Sequence, residues 1–294
     1  MMETHTNGLA GPPISIIGAA RSGTTLLAEI LSQHPNVSYW VEPKYIWRYR
    51  SPSAPNDVRT RREATPPIRR YIRTKFADYV DRGEGDRFME KTPSNCFRIP
   101  FVHGVLPNVR IIHLLRDGRD VAFSAREKWT SPPKKEALWR RLTSVEIPLR
   151  DVPAYVTDFL RDVVGRQLDP ESGYVWGPQF PGIHEVKEEY SILETCAIQW
   201  RESVKAACEG LAVVPDAQKK EVRFEELVRR PRAVVEDICR FLDLRGDRIA
   251  EYAARIVQPE AADRWRNRSD EEVKKIMPHI NEMVEQVRRQ EKLV

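Results

Sequence analysis

The chain has 294 residues, 41% of them hydrophobic, which is enough for one large folded core. Its 48 Lys and Arg against 43 Asp and Glu leave a formal charge of only +5, a balance that suits an anionic ligand and gives no reason to expect nucleic acid. Cys96, Cys196, Cys208 and Cys239 form no CxxC pair, and no histidines stand at zinc-finger spacing, so neither a disulfide framework nor a metal site is expected.

Residues 1–12 read as a disordered N-terminus. They carry neither the basic head nor the apolar stretch of a secretion signal, and no window reaches the roughly 18 apolar residues of a membrane span, so a cytoplasmic protein is expected. Ile14 to Ile17 then form an apolar run that enters Gly18-Ala19-Ala20-Arg21-Ser22-Gly23-Thr24-Thr25. Leu26, Leu27, Ile30 and Leu31 follow at helical spacing until His34-Pro35-Asn36. A strand, a glycine turn and a helix start make a phosphate cradle, because backbone N–H groups close on the anion and the helix N-terminus adds partial positive charge. Gly18 and Gly23 have P-loop spacing, but Thr24 fills the slot of the nucleotide-binding lysine. A nucleotide triphosphatase uses that lysine on the β- and γ-phosphates, so Arg21 with two threonines points to a different phosphate donor. An ordinary glycine turn between strand and helix is the competing reading.

A second strand runs toward Glu42-Pro43. A stretch from Arg48 to Lys75 holds nine basic residues and two acids; it reads as a solvated basic face, some of which can steer an anion. Residues 66–82 form a helix with Ile68, Ile72, Phe76 and Val80 on one face. A short strand covers residues 87–90 and ends at Lys91, and Val109 to Leu115 read as a central parallel strand leading through Arg116-Asp117-Gly118-Arg119-Asp120 into a helix from about Val121. Residues 130–195, rich in proline and glycine, are either an inserted lid that shapes an acceptor pocket or a packed connector. Regular structure resumes with a helix around residues 191–208, a strand near 221–224, a helix starting at Pro231 and a terminal amphipathic helix from Ser269 with Val273, Ile276, Met277 and Ile280 inward. Alternating strands and helices predict one α/β domain with a central parallel sheet and helices on both faces. Ligands of such sheets bind beyond the carboxyl ends of the strands. Gly18 to Thr25, Glu42, Lys91 and Arg116 all fall just past predicted strand ends, so one crevice is expected to collect them.

These segments resemble a known family. The loop from Gly18 to Thr25 is similar to the 5′-phosphosulfate loop of sulfotransferases that use 3′-phosphoadenosine 5′-phosphosulfate (PAPS), in particular the bacterial and tyrosylprotein type. Leu115-Arg116-Asp117-Gly118-Arg119-Asp120-Val121-Ala122-Phe123-Ser124 resembles that family's 3′-phosphate motif, and Val222-Arg223-Phe224-Glu225-Glu226-Leu227 with Pro231 resembles its C-terminal block. The resemblance covers roughly residues 14–130 and 190–268 and implies the P-loop-like sulfotransferase fold. It further implies that the amides of Ser22, Gly23, Thr24 and Thr25, with the two threonine hydroxyls, hold the 5′-phosphosulfate, and that Arg116 and Ser124 hold the 3′-phosphate. A salt bridge with Asp117 or Asp120 is the plainer role for Arg116. Arg21 and Lys91 are candidates to neutralise the departing phosphate. Glu42 stands where tyrosylprotein sulfotransferases carry a catalytic glutamate, and Trp40, Val41 and Pro43 are expected to desolvate it and raise its pKa into the range of a base. The competing reading makes it a carboxylate that positions a cation such as Arg21. His113 reads as a core histidine and His103 as a second candidate base. Trp265 and Arg266 either close over the nucleotide or form a core Trp with a snorkelling Arg. The implied activity is sulfuryl transfer from PAPS to a hydroxyl or amine of a small-molecule, glycan or peptide acceptor, with release of 3′-phosphoadenosine 5′-phosphate (PAP) and without a metal. The rivals are a P-loop kinase using Mg-ATP and a non-catalytic protein that binds PAP or PAPS.

Overall fold

The computed structural model describes residue 9 and residues 11–131 and 175–291. Most of the expected disordered N-terminus and of the expected insertion at 130–195 lies outside the described residues. Five parallel strands, β1 (Ile14–Ile17), β2 (Val37–Val41), β3 (Arg87–Lys91), β4 (Arg110–Leu115) and β5 (Lys219–Arg223), form one sheet in the order β2-β3-β1-β4-β5. Among the described residues the helices are α1 (Thr24–Leu31), α2 (Lys44–Trp47), α3 (Pro66–Asp81), α4 (Ile99–Val105), α5 (Gly118–Thr130), α6 (Ile183–Glu189), α7 (Ile192–Leu211), α8 (Phe224–Arg229), α9 (Pro231–Leu242), α10 (Asp247–Ile256) and α11 (Asp270–Glu291). No described helix is long and apolar enough to cross a membrane.

The two-residue period of the strands sorts their side chains onto two faces. Ile14, Ile16, Met89, Ile112 and Leu114 pack with α1, α9 and α10, whereas Ile17, Phe88 and Ile111 pack with α3 and α4. Helices therefore cover both faces, as expected. A third cluster joins α5, α7 and α11 through Phe123, Trp129, Trp200, Ile276 and Ile280. The face of α3 is the one read from periodicity: Ile68, Ile72, Phe76 and Val80 are its buried residues. Truncating fully enclosed Phe76 to Ala costs about 3–5 kcal/mol.

Helix α5 starts three residues earlier than expected, because the Asp117 carboxylate accepts the Arg119 N–H at 2.9 Å and caps the helix at once. Helix α7 carries a capping box of Ser191 and Glu194 and runs on to Leu211. Phe224 opens α8 instead of ending the fifth strand, and its ring lies where a side chain on Gly23 would be: a Cβ there would sit 2.4 Å from it. With φ at +92°, Gly23 meets both a steric and a conformational demand for glycine. A Cβ on Gly18 would come within 2.5 Å of the Leu114 carbonyl oxygen, so this glycine lets the loop lie against β4.

The described end of the 130–195 stretch is packed against the core. Val175 and Phe180 are buried in the α5–α7 cluster, and Gln199 Nε2 donates to the carbonyls of Trp176 at 2.9 Å and Pro178 at 2.8 Å. Asp57 and Gln179 are joined twice, Asp57 N–H to the Gln179 carbonyl and Gln179 N–H to Asp57 Oδ2, each at 2.8 Å.

Candidate active site

The strand ends bring the expected residues to one edge of the sheet. β1 ends at Ile17 and hands the chain to the glycine loop, β2 ends at Val41 before Glu42, β3 ends on Lys91, and β4 ends at Leu115 before Arg116. In the loop, Arg21 takes a left-handed conformation, φ +73°, and Ser22 N–H donates to the Ala19 carbonyl at 3.1 Å. Helix α1 starts at Thr24 without a side-chain cap. Its first-turn N–H groups thus add partial positive charge to the loop. Ser22 Oγ is buried and has no hydrogen-bond partner among the described residues. A buried hydroxyl without a partner is costly, and an anion seated in the loop would satisfy it.

The loop and the Arg116–Ser124 motif are in direct contact, although about ninety residues separate them. Arg21 Nε donates to Ser124 Oγ at 3.0 Å, and Arg116 Nη1 donates to the Arg21 carbonyl at 3.2 Å. Desolvation first, and the Arg116 charge second, lower the pKa of Arg21. Two guanidiniums whose charges repel in this way favour an anion nearby. Arg116 also lies over the Phe224 ring at 4.4 Å and pairs with Asp120 at 3.3 Å, whereas Asp117 binds Arg119. The salt bridge expected as the plainer role of Arg116 is therefore present, yet Arg116 Nε is buried and finds no partner among the described residues.

Glu42 and Lys91 form the second group. Lys91 Nζ donates to Glu42 Oε1 at 2.6 Å, and Lys44 Nζ lies 3.2 Å from Glu42 Oε2. Glu42 turns out of β2 with φ +46°, its N–H donating to the Lys91 carbonyl at 3.2 Å. The expected rise in its pKa is corrected here. Desolvation does push the carboxyl up, but the charges and hydrogen bonds of Lys44 and Lys91 together outweigh it and hold the group at about 2. The cations that Glu42 positions are these two lysines; Arg21 bonds Ser124. Lys91 is buried, only 3% exposed. His103 Nε2 is 3.0 Å from Gln218 Oε1, and His113 is buried on β4 with Glu221 Oε2 at 3.7 Å from Nδ1.

Trp265 and Arg266 lie beside the start of α5. Trp265 N–H donates to Asp120 Oδ1 at 2.7 Å, Arg119 lies over the indole at 3.5 Å and exposed Arg266 at 4.8 Å. Sequence reasoning missed Lys44 and the double use of Asp120. The i,i+4 spacing of Arg116 and Asp120 signals their pair, but nothing local signals Trp265 as the other partner.

The model of the Sulfotransferase family matches residues 12–151 and 179–248. The nodulation protein NoeE of Sinorhizobium fredii is 28% identical over 135 residues, which make up 40% of this chain and 32% of that protein. The matched part thus spans about a third of the length of the curated relatives the chain matches. Among solved structures, the sulfotransferase domain of the Synechococcus PCC 7002 olefin synthase superposes with a TM-score of 0.52 at 18% identity, covering 89% of each chain. The sulfotransferase STF9 of Mycobacterium avium gives 0.51 at 12% identity, over 95% of this chain and 78% of that one. These structures share the fold, and the family match covers well over half of the sequence. With a glycine loop that lacks the nucleotide-binding lysine and touches a second arginine motif, the chain belongs to the sulfotransferase family.

Proposed function

We propose that the chain transfers a sulfuryl group from PAPS to a hydroxyl or amine and releases PAP. The observation that carries this reading is the bond from Arg21 to Ser124, which, with the bond from Arg116 to the Arg21 carbonyl, joins the glycine loop to the Arg116–Ser124 motif. The donor supplies an activated sulfuryl group on a 5′-phosphate and a second anion at the 3′-position. Unpartnered Ser22 Oγ suits the first end and unpartnered Arg116 Nε the second. Ser22, Gly23, Thr24 and Thr25 hold the 5′-phosphosulfate, and Arg116 with Ser124 holds the 3′-phosphate. Trp265 and Arg266 complete the nucleotide side.

Transfer of this kind is mostly positioning and neutralisation of charge. Lys91 and Arg21 neutralise the phosphate oxygen that keeps the electron pair as its bond to sulfur breaks. Glu42 takes the proton of the acceptor as the new oxygen–sulfur or nitrogen–sulfur bond forms. At a pKa of about 2, Glu42 is ionised but weakly basic. As Lys91 turns toward the growing negative charge, Glu42 loses one of its two cations and its basicity rises. Departure of the leaving group and activation of the acceptor are coupled in this way.

Calorimetric titration with PAP, adenosine 5′-phosphate and Mg-ATP tests the donor. PAP is expected to bind tightest, and Arg116→Ala is expected to weaken PAP about tenfold or more with little change for adenosine 5′-phosphate, since a charged hydrogen bond contributes about 1.5–3 kcal/mol. Preference for Mg-ATP, or no nucleotide binding, overturns the reading.

A further inference from the structure

Asp120 sits in the first turn of α5 with its side chain fully enclosed, at 0% exposure. Its two oxygens serve different parts of the chain. Oδ2 accepts from Arg116 Nη2 at 3.3 Å, and Oδ1 accepts the backbone N–H of Trp265 at 2.7 Å. Arg116 Nη2 also donates to the Ala261 carbonyl at 2.7 Å. Residues 261–265 therefore meet Arg116 twice, directly through Ala261 and indirectly through Asp120, and the stacking of Arg119 over Trp265 adds a second tie to α5 beside that of Asp120.

Three acceptors, Asp120, the Ala261 carbonyl and the Arg21 carbonyl, fix the Arg116 guanidinium, yet buried Nε is left without a partner among the described residues. A donor whose rotamer is locked while one N–H stays open is preorganised for an anion, because the ordering cost is met before the ligand arrives. Enclosing a carboxylate to make such a pair is costly, and desolvation does raise the pKa of Asp120. A buried pair is therefore a poor source of stability and better explained by the geometry it imposes.

Resting on the reading of Arg116 as the 3′-phosphate ligand, we propose that Asp120 is a positioning residue for that phosphate. It locks the Arg116 guanidinium and, through the Trp265 N–H, clasps residues 261–265 into the same receptor. A nucleotide with a 3′-phosphate is thus recognised by the arginine and the C-terminal segment as one unit.

The test uses the full chain with PAP and adenosine 5′-phosphate as probes. Asp120→Asn keeps an amide oxygen for the Trp265 N–H but removes the charge facing Arg116. It is expected to weaken PAP about tenfold, leave adenosine 5′-phosphate unchanged, and leave hydrogen exchange at the Trp265 amide as in the wild type. Asp120→Ala removes both functions and is expected to speed exchange across 261–266 as well; if that variant does not fold, Asp120→Asn carries the test. An unchanged ratio of PAP to adenosine 5′-phosphate affinity in Asp120→Asn, including equal losses of both, overturns the proposal and leaves Asp120 a structural ion pair. Wild-type protein that does not prefer PAP overturns the donor reading and this inference with it. A wild-type preference that Asp120→Asn retains overturns this inference alone.

Discussion

Two cation–carboxylate pairs stand on either side of β1 at the carboxyl edge of the sheet, and the fold treats them in opposite ways. Glu42, beyond β2, is 29% exposed and shared by Lys91 and Lys44, so two ammonium groups hold its carboxyl at about 2. Asp120, beyond β4, faces one arginine from a fully enclosed position, and desolvation raises its pKa. The same type of pair is driven down where cations are in excess and up where water is excluded. On the proposed function, the first pair keeps charge ready to be redistributed during transfer, whereas the second holds a geometry.

The contrast is broken most severely at Lys91. Lys91→Ala removes one of the two cations on Glu42, and turnover is expected to fall about 10³-fold with PAP binding changed far less, as on loss of a preorganised donor to developing charge. The check is single-turnover transfer from labelled PAPS to an acceptor found by screening. Glu42→Gln comes next: loss of a general base predicts a fall of about 10²-fold with PAP affinity retained. Turnover within a factor of about three of the wild type would remove Glu42 as the base and leave it a lysine-positioning carboxylate.

The smallest effect lies in the pH dependence of stability, where the two pairs have opposite signs. Glu42 binds protons less well in the folded chain than at its ordinary value of 4.5, so its contribution is present above that value and is lost as pH falls toward 2. Asp120 binds them better than at 3.8, so its contribution is full below 3.8 and is lost as pH rises through its folded value. Denaturant unfolding between pH 2 and 7 (about the accessible window) should show a shallower acid loss in Glu42→Gln and a steeper net rise of stability with pH in Asp120→Asn. Slopes equal to the wild type in both variants would refute the assigned directions.

Much of this edge was legible before any fold was known. Gly18, Gly23 and the apolar run before them identify the loop, and the Arg116 to Ser124 spacing identifies its companion. The strand ends at Ile17, Val41 and Leu115 fall where hydrophobic runs stop, whereas β3 runs two residues past its last apolar residue to Lys91. The start of α5 was missed because Asp117 caps it earlier than the apolar pattern begins. The direction of the Glu42 shift is not legible locally: its neighbours in sequence, Trp40, Val41 and Pro43, are apolar, whereas Lys91 dominates with Lys44 in space. Lys91 lies 49 residues away and is brought to 2.6 Å by the pairing of β2 with β3.

By itself the sequence determined what depends on nearest neighbours along the chain: the glycine turn, the period of each strand and helix, and the residue types offered at each strand end. Tertiary structure decided what depends on neighbours in space. It gave Arg21 to Ser124 across 103 residues, Asp120 to both Arg116 and Trp265, and Glu42 to two lysines. Charge and desolvation act through distance and enclosure, and no local pattern of residues carries either.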